Sequence, residues 1–280
     1  MDNPTTGGLT TVREGIKTAG DGMIYLDFPQ PYPVAGVTFT NPTEIKIDWG
    51  THKKNVIAII PARGNSKSIP RKNMVSFRGK PLVQWSVEAA LNAKSITKTV
   101  LTTEDDEIAR LASTWGIEKV INRPGYLSQD HVQVEEAVLQ TLRVLEYERR
   151  EIIDVLVILQ PTSPLRTASD IDAAVELFYS GHGEPVISGC VDSRYHWILA
   201  TNDDRHVHSL CHNPFANGRL GRQWNKPSEV RVENGGIYVI DAQQFSLRRT
   251  FWYEEPPLFY EMSPENMVEL DDMDDWKQLE

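Results

Sequence analysis

The sequence has few cysteines, no long apolar run and no excess of positive charge. Its 280 residues include two cysteines, Cys190 and Cys211, which are too few for a disulfide framework and lack the spacing of a metal site. No segment approaches the roughly 20 apolar residues that a membrane-spanning helix needs. The polar start of the sequence also lacks the apolar core of a signal peptide. We therefore expect a cytoplasmic protein that does not enter a membrane.

Positive charge is scarce in the sequence as a whole. Lys and Arg total 29 against 39 Asp and Glu, which gives a formal net charge of -10. This balance argues against broad electrostatic binding to nucleic acid or to an anionic membrane. An acidic protein can still bind an anion through a local group of cations and backbone N–H groups, so the positions of the basic residues matter more than their number.

The sequence changes character near residue 51. Residues 1–50 are rich in Gly, Thr and Pro, and we interpret them as an N-terminal appendage of unknown role. From Asn55 onward, short apolar or β-branched runs alternate with segments of helical periodicity. This alternation predicts an α/β domain over residues 51–280, with helices packed on a mostly parallel sheet. Thr167 and Asp170 predict a capping box at the start of one of its helices.

A basic loop, residues 62–73, follows the first predicted strand and contains Arg63, Lys67, Arg71 and Lys72. Ligands of open α/β sheets bind beyond the carboxyl ends of the strands, and a polyphosphate needs both cations and accessible backbone donors. The loop lacks the Gly-Lys-Ser/Thr spacing of a Walker A loop, and the Gly-x-Gly-x-x-Gly of a dinucleotide site is absent. On charge alone, a solvated loop without a catalytic role is the better interpretation.

The whole string of residues 60–73, Ile-Pro-Ala-Arg-Gly-Asn-Ser-Lys-Ser-Ile-Pro-Arg-Lys-Asn, resembles the signature of the CMP-acylneuraminate synthetase family. Four further segments resemble motifs of that family in the same order, namely Thr102–Ile108, Asn122–Asp130, Leu159–Thr167 and Glu233–Tyr238. The resemblance covers about residues 55–280. It departs from the family at Glu104, where Asp is usual, and at Glu233, since the family usually has Arg-Pro ahead of Asn-Gly.

The resemblance implies a three-layer α/β/α nucleotidyltransferase of Rossmann-like fold. It implies transfer of CMP from CTP to the anomeric hydroxyl of a nonulosonic, sialic-type acid, with release of pyrophosphate. Relatives are commonly dimers, and we expect a homodimer in which a projecting element at about residues 195–228 helps to close the acceptor site of the neighbour.

The resemblance also assigns the site residues. Catalytic roles fall on Arg63, Lys72 and Asp271. Nucleotide binding falls on Ala62, Arg63, Gly64, Asn65, Ser66, Lys67, Lys72, Asn73 and Arg123. Binding of the acceptor sugar falls on Gln160, Arg222, Gln223 and Asn234. Arg71 occupies a variable position of the family, and we expect it to lie on the surface.

Two carboxylates near the C-terminal end, Glu269 and Asp271, are the predicted ligands of Mg²⁺. Residues two apart in a strand point the same way, and Mg²⁺ prefers hard oxygen ligands. The family has Asp at both positions, so Glu269 is a departure. An acidic surface without a metal is the alternative. We interpret the three acids that follow as residues of a helix start.

Two other functions stay open on the sequence alone. The first is the same CTP chemistry on an octulosonic acid or a phosphonate, because the acceptor-side residues match the family less well. The second is a non-catalytic homologue that acts as a binding or assembly subunit. Glu104 and Glu269 permit this second reading, whereas the intact Arg63, Lys72 and Gln160 argue against it.

Overall fold

The structure is a computed structural model that describes residues 54–148, 152–192, 230–253 and 256–279, together with short strands at 10–11, 16–18, 24–26, 197–199 and 207–209. It divides into two compact units, Met1–His52 and Lys53–Glu280. In the first unit, the three short strands form an antiparallel sheet in chain order. The second unit contains the predicted α/β domain.

A seven-stranded sheet forms the centre of the second unit. Its strands are β1 Val56–Pro61, β2 Lys98–Thr103, β3 Lys119–Asn122, β4 Val155–Ile158, β5 Val186–Asp192, β6 Val230–Asp241 and β7 Leu258–Glu261. They lie side by side in the order 3-2-1-4-6-5-7. Neighbouring strands are parallel except that β6 runs antiparallel to both β4 and β5. The predicted mostly parallel sheet is therefore confirmed.

Six α-helices accompany these strands in the described part of the chain. They are α1 Leu82–Asn92, α2 Asp106–Thr114, α3 Val134–Arg143, α4 Ala168–Ser180, α5 Ala242–Arg248 and α6 Met273–Leu279. The predicted capping box begins α4: the Thr167 side chain accepts from the Asp170 N–H, and the Asp170 carboxylate accepts from the Thr167 N–H at 2.7 Å. No helix of the described residues is long and apolar enough to cross a membrane.

β1 shows why helices must cover both faces of this sheet. Val56 to Ile60 are at most 3% exposed, although successive side chains point to opposite faces. Ile57 and Ile59 pack in a core cluster with side chains of α3 and α5. Ala58 and Ile60 point the other way and are equally buried. Burial on both faces confirms the predicted three-layer α/β/α architecture.

The predicted projecting element, residues 195–228, lies mostly outside the described residues. Within it, Trp197–Leu199 and Val207–Ser209 pair as an antiparallel hairpin. The predicted acceptor residues Arg222 and Gln223 also lie outside the described part of the chain. The homodimer that this element was expected to build stays a prediction.

Two neighbouring side chains of α5 provide a test of where the core lies. Phe245 is fully buried, whereas Leu247 is 68% exposed. We expect Phe245→Ala to lower the free energy of unfolding by about 3–5 kcal/mol, because it removes a buried ring and leaves a cavity. Leu247→Ala should change it by about 0.5 kcal/mol or less. Urea denaturation of both variants measures the difference, and equal losses would contradict the described orientation of α5.

Candidate active site

A cavity of about 270 Å³ opens beyond the carboxyl ends of β1 and β4. Its lining brings together seven of the predicted site residues: Arg63, Ser66, Lys72, Asn73, Arg123, Gln160 and Asp271. A second cavity, of about 350 Å³, lies between α2 and the ends of β2 and β3 and includes no residue of the basic loop. We take the first cavity as the candidate active site, because the cations converge on it.

The basic loop is held in place by hydrogen bonds near both of its ends. The Ala62 N–H donates to the carbonyl oxygen of Thr102 at 3.0 Å. At the other end, the Asn73 side chain donates to the carbonyl oxygen of Arg63 at 2.8 Å. Asn73 is itself buried, so these contacts set the path of the loop around the cavity.

The backbone N–H of Gly64, a predicted nucleotide-binding residue, already has a partner in this arrangement of the loop. Its N–H donates to Oε1 of Glu104 at 2.8 Å. Oε2 of the same carboxylate accepts from the Ser128 hydroxyl at 2.7 Å. A Cβ at Gly64 would lie 2.6 Å from Oδ2 of Asp105, so only glycine fits there. Gly64 and Glu104 thus shape the loop, and Glu104 joins it to the turn at Gly125–Ser128.

Three cations of the loop are paired with carboxylates. Arg63 Nη1 lies 2.9 Å from one oxygen of Asp130, and Lys67 Nζ lies 3.2 Å from the other. Lys72 Nζ lies 3.0 Å from Oδ1 of Asp271. Arg63 and Lys72 line the cavity together with their counter-ions Asp130 and Asp271, which a bound anion would have to replace.

The other predicted residues of the loop differ in their access to the cavity. Ser66 lines it, whereas Ala62 is fully buried and Asn65 is exposed without lining it. Arg71 points elsewhere and contacts Asp105 at 3.0 Å and Glu107 at 2.7 Å. The expectation that Arg71 lies on the surface agrees with its side-chain exposure of 45%.

Arg123 is the most buried cation in the lining of the cavity, at 5% exposure. One of its terminal nitrogens donates to the Thr102 carbonyl oxygen at 3.0 Å, but its Nε has no hydrogen-bond partner among the described residues. Burial lowers the pKa of Arg123 to about 10, while Glu104 raises it and Arg63 lowers it. The group stays protonated at neutral pH, and an anion in the cavity would stabilise its charge.

The turn after β4 carries Gln160 into the cavity, and Arg166 braces that turn. The Arg166 guanidinium donates to the carbonyl oxygens of Gln160, Ser163 and Gly236 at 2.8, 3.0 and 2.9 Å. It also donates to the hydroxyl of Ser86. Burial lowers the pKa of Arg166 to about 9, although Asp170 opposes the shift.

The predicted contact of Asn234 with the acceptor is not supported by its position. Its side chain is fully buried and does not line the cavity. Its Oδ1 accepts from the Ser188 hydroxyl at 2.8 Å and from the Gly236 N–H at 3.0 Å. Asn234 therefore holds a bulge of β6, in which Gly235 adopts a φ of 60°. Sequence motifs identify the residue but not which way it points.

The bulge places Glu233, Tyr238 and Glu269 near Gln160. The Tyr238 hydroxyl donates to the Glu233 carboxylate, and the Gln160 amide lies 3.5 Å from that hydroxyl. A Cβ at Gly235 would lie 3.6 Å from Oε1 of Glu269 and 3.7 Å from the Gln160 amide. Burial and the hydrogen bond to Glu233 raise the pKa of Tyr238 far above its usual value, so the phenol stays protonated.

Glu269 and Asp271 share a hydrogen bond, and of the two only Asp271 lines the cavity. Their segment does not form the strand that was expected. Leu270 between them is fully buried, and its N–H donates to the Thr162 carbonyl oxygen at 2.8 Å. Burial and the neighbouring Asp271, with which Glu269 shares a hydrogen bond, raise the pKa of Glu269 to about 7. No group of three or more metal-binding side chains occurs among the described residues.

A hydrophobic cluster fixes this carboxylate segment against the basic loop. Ile69 of the loop, Phe77 of the hairpin after it, Leu82, Leu270 and Trp276 of α6 pack together. The rings of Phe77 and Trp276 meet edge to face at 5.9 Å. The acids after Asp271 serve the helix start, since Asp272 accepts from the N–H groups of Asp274 and Asp275.

Replacing Arg166 tests the brace under Gln160. A lysine carries three donors on a flexible stem and cannot reproduce the fork of a guanidinium. We expect Arg166→Lys to destabilise the fold by about 2–4 kcal/mol, because buried carbonyl oxygens lose their donors. The exposed Arg143 provides the control, and Arg143→Lys should change stability by about 0.5 kcal/mol or less. Indistinguishable urea denaturation curves for the two variants would refute the brace.

The chain is similar in sequence to known cytidylyltransferases. Residues 57–184 match a family model described as Cytidylyltransferase. "N-acylneuraminate cytidylyltransferase A" of Danio rerio is 30% identical over 228 residues, which are 81% of this chain and 50% of that protein. The chain therefore spans about half the length of that relative.

A second relative matches along nearly its whole length. "CMP-N,N'-diacetyllegionaminic acid synthase" of Legionella pneumophila is 28% identical over 229 residues, covering 80% of this chain and 94% of that protein. The solved 4-diphosphocytidyl-2C-methyl-D-erythritol synthase of Anaerococcus prevotii superposes with a TM-score of 0.58 at 11% identity, over 81% of this chain and 95% of that one. This structural likeness shows the shared fold alone. The sequence matches confirm the resemblance that the motifs predicted, since residues 57–184 match the cytidylyltransferase model and both relatives align over about four fifths of this chain.

Proposed function

We propose that the protein transfers CMP from CTP to the anomeric hydroxyl of a nonulosonic, sialic-type acid. The acceptor oxygen attacks the α-phosphorus of CTP, the bond from that phosphorus to the bridging oxygen breaks, and pyrophosphate leaves. The acceptor loses its hydroxyl proton to solvent or to a neighbouring base. The observation that carries this proposal is a buried arginine, Arg123, which lines a cavity together with further cations and whose Nε has no hydrogen-bond partner among the described residues.

The cations act by position and charge. Arg63 and Lys72 line the cavity from the basic loop, and Arg123 lines it from the end of β3. A triphosphate gains negative charge on its leaving group as the bond breaks, so cations that are already in place lower the barrier without rearranging. Lys67 lies at the exposed rim, where it supports the departing pyrophosphate rather than the reacting phosphorus.

We further propose that Glu269 and Asp271 hold Mg²⁺. The two carboxylates share a hydrogen bond, and their mutual repulsion contributes to the raised pKa of Glu269. A divalent cation between them would favour the ionised form of both. Two carboxylates suffice, because Mg²⁺ keeps several waters and binds substrate phosphates in its other positions. When bound, the metal supplies positive charge to the phosphate oxygens.

The acceptor is proposed to lie on the Gln160 side of the cavity. The relatives' names include an N-acylneuraminate and a legionaminic acid enzyme, which supports a nonulosonic acid as the acceptor class. In this chain Gln160 offers a side-chain amide at the cavity, and Tyr238 and Glu233 stand behind it. These groups suit the hydroxyl and acyl-amino substituents of such a sugar.

Pyrophosphate release from CTP tests the activity. We expect release with Mg²⁺ and at least one acid of a panel of nonulosonic acids, an octulosonic acid and phosphonates. Arg63→Ala should lower kcat by about 10²–10³-fold, the effect of removing one charge-stabilising donor. Arg143→Ala, at the far end of α3 from the cavity, should keep the wild-type rate. CTP binding without release on any acceptor would favour the non-catalytic homologue.

Mn²⁺ binding followed by electron paramagnetic resonance tests the metal site without relying on turnover. Asp271→Asn should weaken Mn²⁺ binding at least on the order of tenfold, since even the loss of an outer partner costs that much. Asp274→Asn is the matched control, because Asp274 is exposed and pairs with Lys277 at 2.9 Å. Equal Mn²⁺ affinity of the Asp271 and Asp274 variants would remove Asp271 from the proposed ligands.

A further inference from the structure

The most informative contact outside the predicted roles is the carboxylate of Asp130. It lines the cavity directly beside Arg63. Its two oxygens bind two different cations of the basic loop, Arg63 at 2.9 Å and Lys67 at 3.2 Å. One carboxylate thus occupies two of the cations that the proposed function assigns to the polyphosphate.

Among the described residues, the Asp130 side chain has no structural role beyond its two ion pairs. It makes no hydrogen bond or ion pair there except those to Arg63 and Lys67. Asp105, which pairs with Arg71, is different. It also caps α2 by accepting from the N–H groups of Glu107 and Ile108. Releasing Asp105 would uncap a helix, whereas releasing Asp130 would disturb only the two ion pairs.

The ion pairs of Asp130 are also weak enough to exchange. The side chains of Arg63 and Asp130 are 35% and 39% exposed, and that of Lys67 is 79% exposed. Exposed pairs of this kind contribute little, because water screens them. A triphosphate or pyrophosphate, with several negative charges and many acceptor oxygens, therefore competes successfully for the same cations.

We infer that Asp130 is a place-holding anion of the active site, which polyphosphate displaces on binding and which takes the cations back as pyrophosphate leaves. This inference rests on the proposed function, since it takes the basic loop as the polyphosphate site. Asp130 weakens the binding of both CTP and pyrophosphate, through competition for Arg63 and through repulsion of the incoming phosphates. Asp130 also keeps the basic loop in its binding shape and favours release of pyrophosphate.

Direct binding of inorganic pyrophosphate and of CTP, measured by calorimetry on the full chain with Mg²⁺, tests the inference. We expect Asp130→Asn to bind pyrophosphate about fivefold more tightly than wild type, the upper range for loss of an exposed ion pair. This gain in pyrophosphate affinity should become smaller as the salt concentration rises from 0.05 to 0.5 M, because salt screens the competing charges. A fold disturbed by the substitution would bind more weakly, so the predicted sign separates competition from damage.

Glu107→Gln is the matched control. It makes the same change in net charge and also removes a carboxylate from a loop cation, but that cation, Arg71, does not line the cavity. Its pyrophosphate affinity should equal that of wild type. Equal tightening in both variants would show a general charge effect and overturn the inference. Unchanged or weaker pyrophosphate binding by Asp130→Asn would also overturn the inference. Weaker binding would indicate that Asp130 orients Arg63 for the ligand.

The same measurements separate this inference from the proposed function. If wild-type protein binds neither CTP nor pyrophosphate, the basic loop is not a polyphosphate site and both proposals fail. If wild type binds CTP and releases pyrophosphate while Asp130→Asn binds no more tightly, only the place-holding role fails. Stronger product inhibition by pyrophosphate in the Asp130→Asn enzyme would support the role during turnover.

Discussion

A guanidinium group that water barely reaches joins the parts of the protein that position Gln160 in the cavity. Arg166 donates to carbonyl oxygens in the turn after β4 and in the bulge of β6, and to a hydroxyl on α1. Removing such a cation from water is costly unless its donors find partners. The turn and the bulge therefore keep a fixed separation, which in turn sets where Gln160 and the Asn234 bulge lie.

The cavity contains a local group of positive charges, whereas the chain as a whole is negatively charged. The protein has a formal net charge of -10, yet Arg63, Lys72 and Arg123 all line one cavity. The two carboxylates that line the cavity beside these cations differ in their surroundings. Asp271 lies near a second carboxylate, Glu269, whereas Asp130 faces cations alone. Net charge argues against nucleic acid as a partner class, whereas only the positions of the cations favour a small anionic ligand.

Features of the fold that depend on neighbouring residues could be predicted from the sequence. The apolar run of β1 and the Thr167 capping box involve contacts within a few residues or one element, and both are present. The motifs also identified seven residues that line one cavity. Prediction failed where the decisive partner is distant in sequence. Gly64 donates to a carboxylate 40 residues away, and no local pattern reveals that its N–H is occupied.

The direction in which a side chain points also could not be predicted from the sequence. Asn234 belongs to a matched motif, but its orientation depends on a bulge stabilised by Ser188, 46 residues earlier. Asp130 shows the converse case, since it closes the matched segment Asn122–Asp130 and yet received no role. Its importance became visible only when the structure placed both of its oxygens against cations of the basic loop.

The hydrophobic cluster between the basic loop and α6 has a consequence for how the site comes into being. Lys72 and Asp271 are 199 residues apart, so closing the loop between them is entropically expensive and depends on the contacts that reward it. Those contacts include Phe77 against Trp276. During synthesis, the strands and helices up to β6 leave the ribosome well before Trp276 does. The contacts that hold the carboxylate side of the cavity can therefore form only after the strands of the sheet have been synthesised.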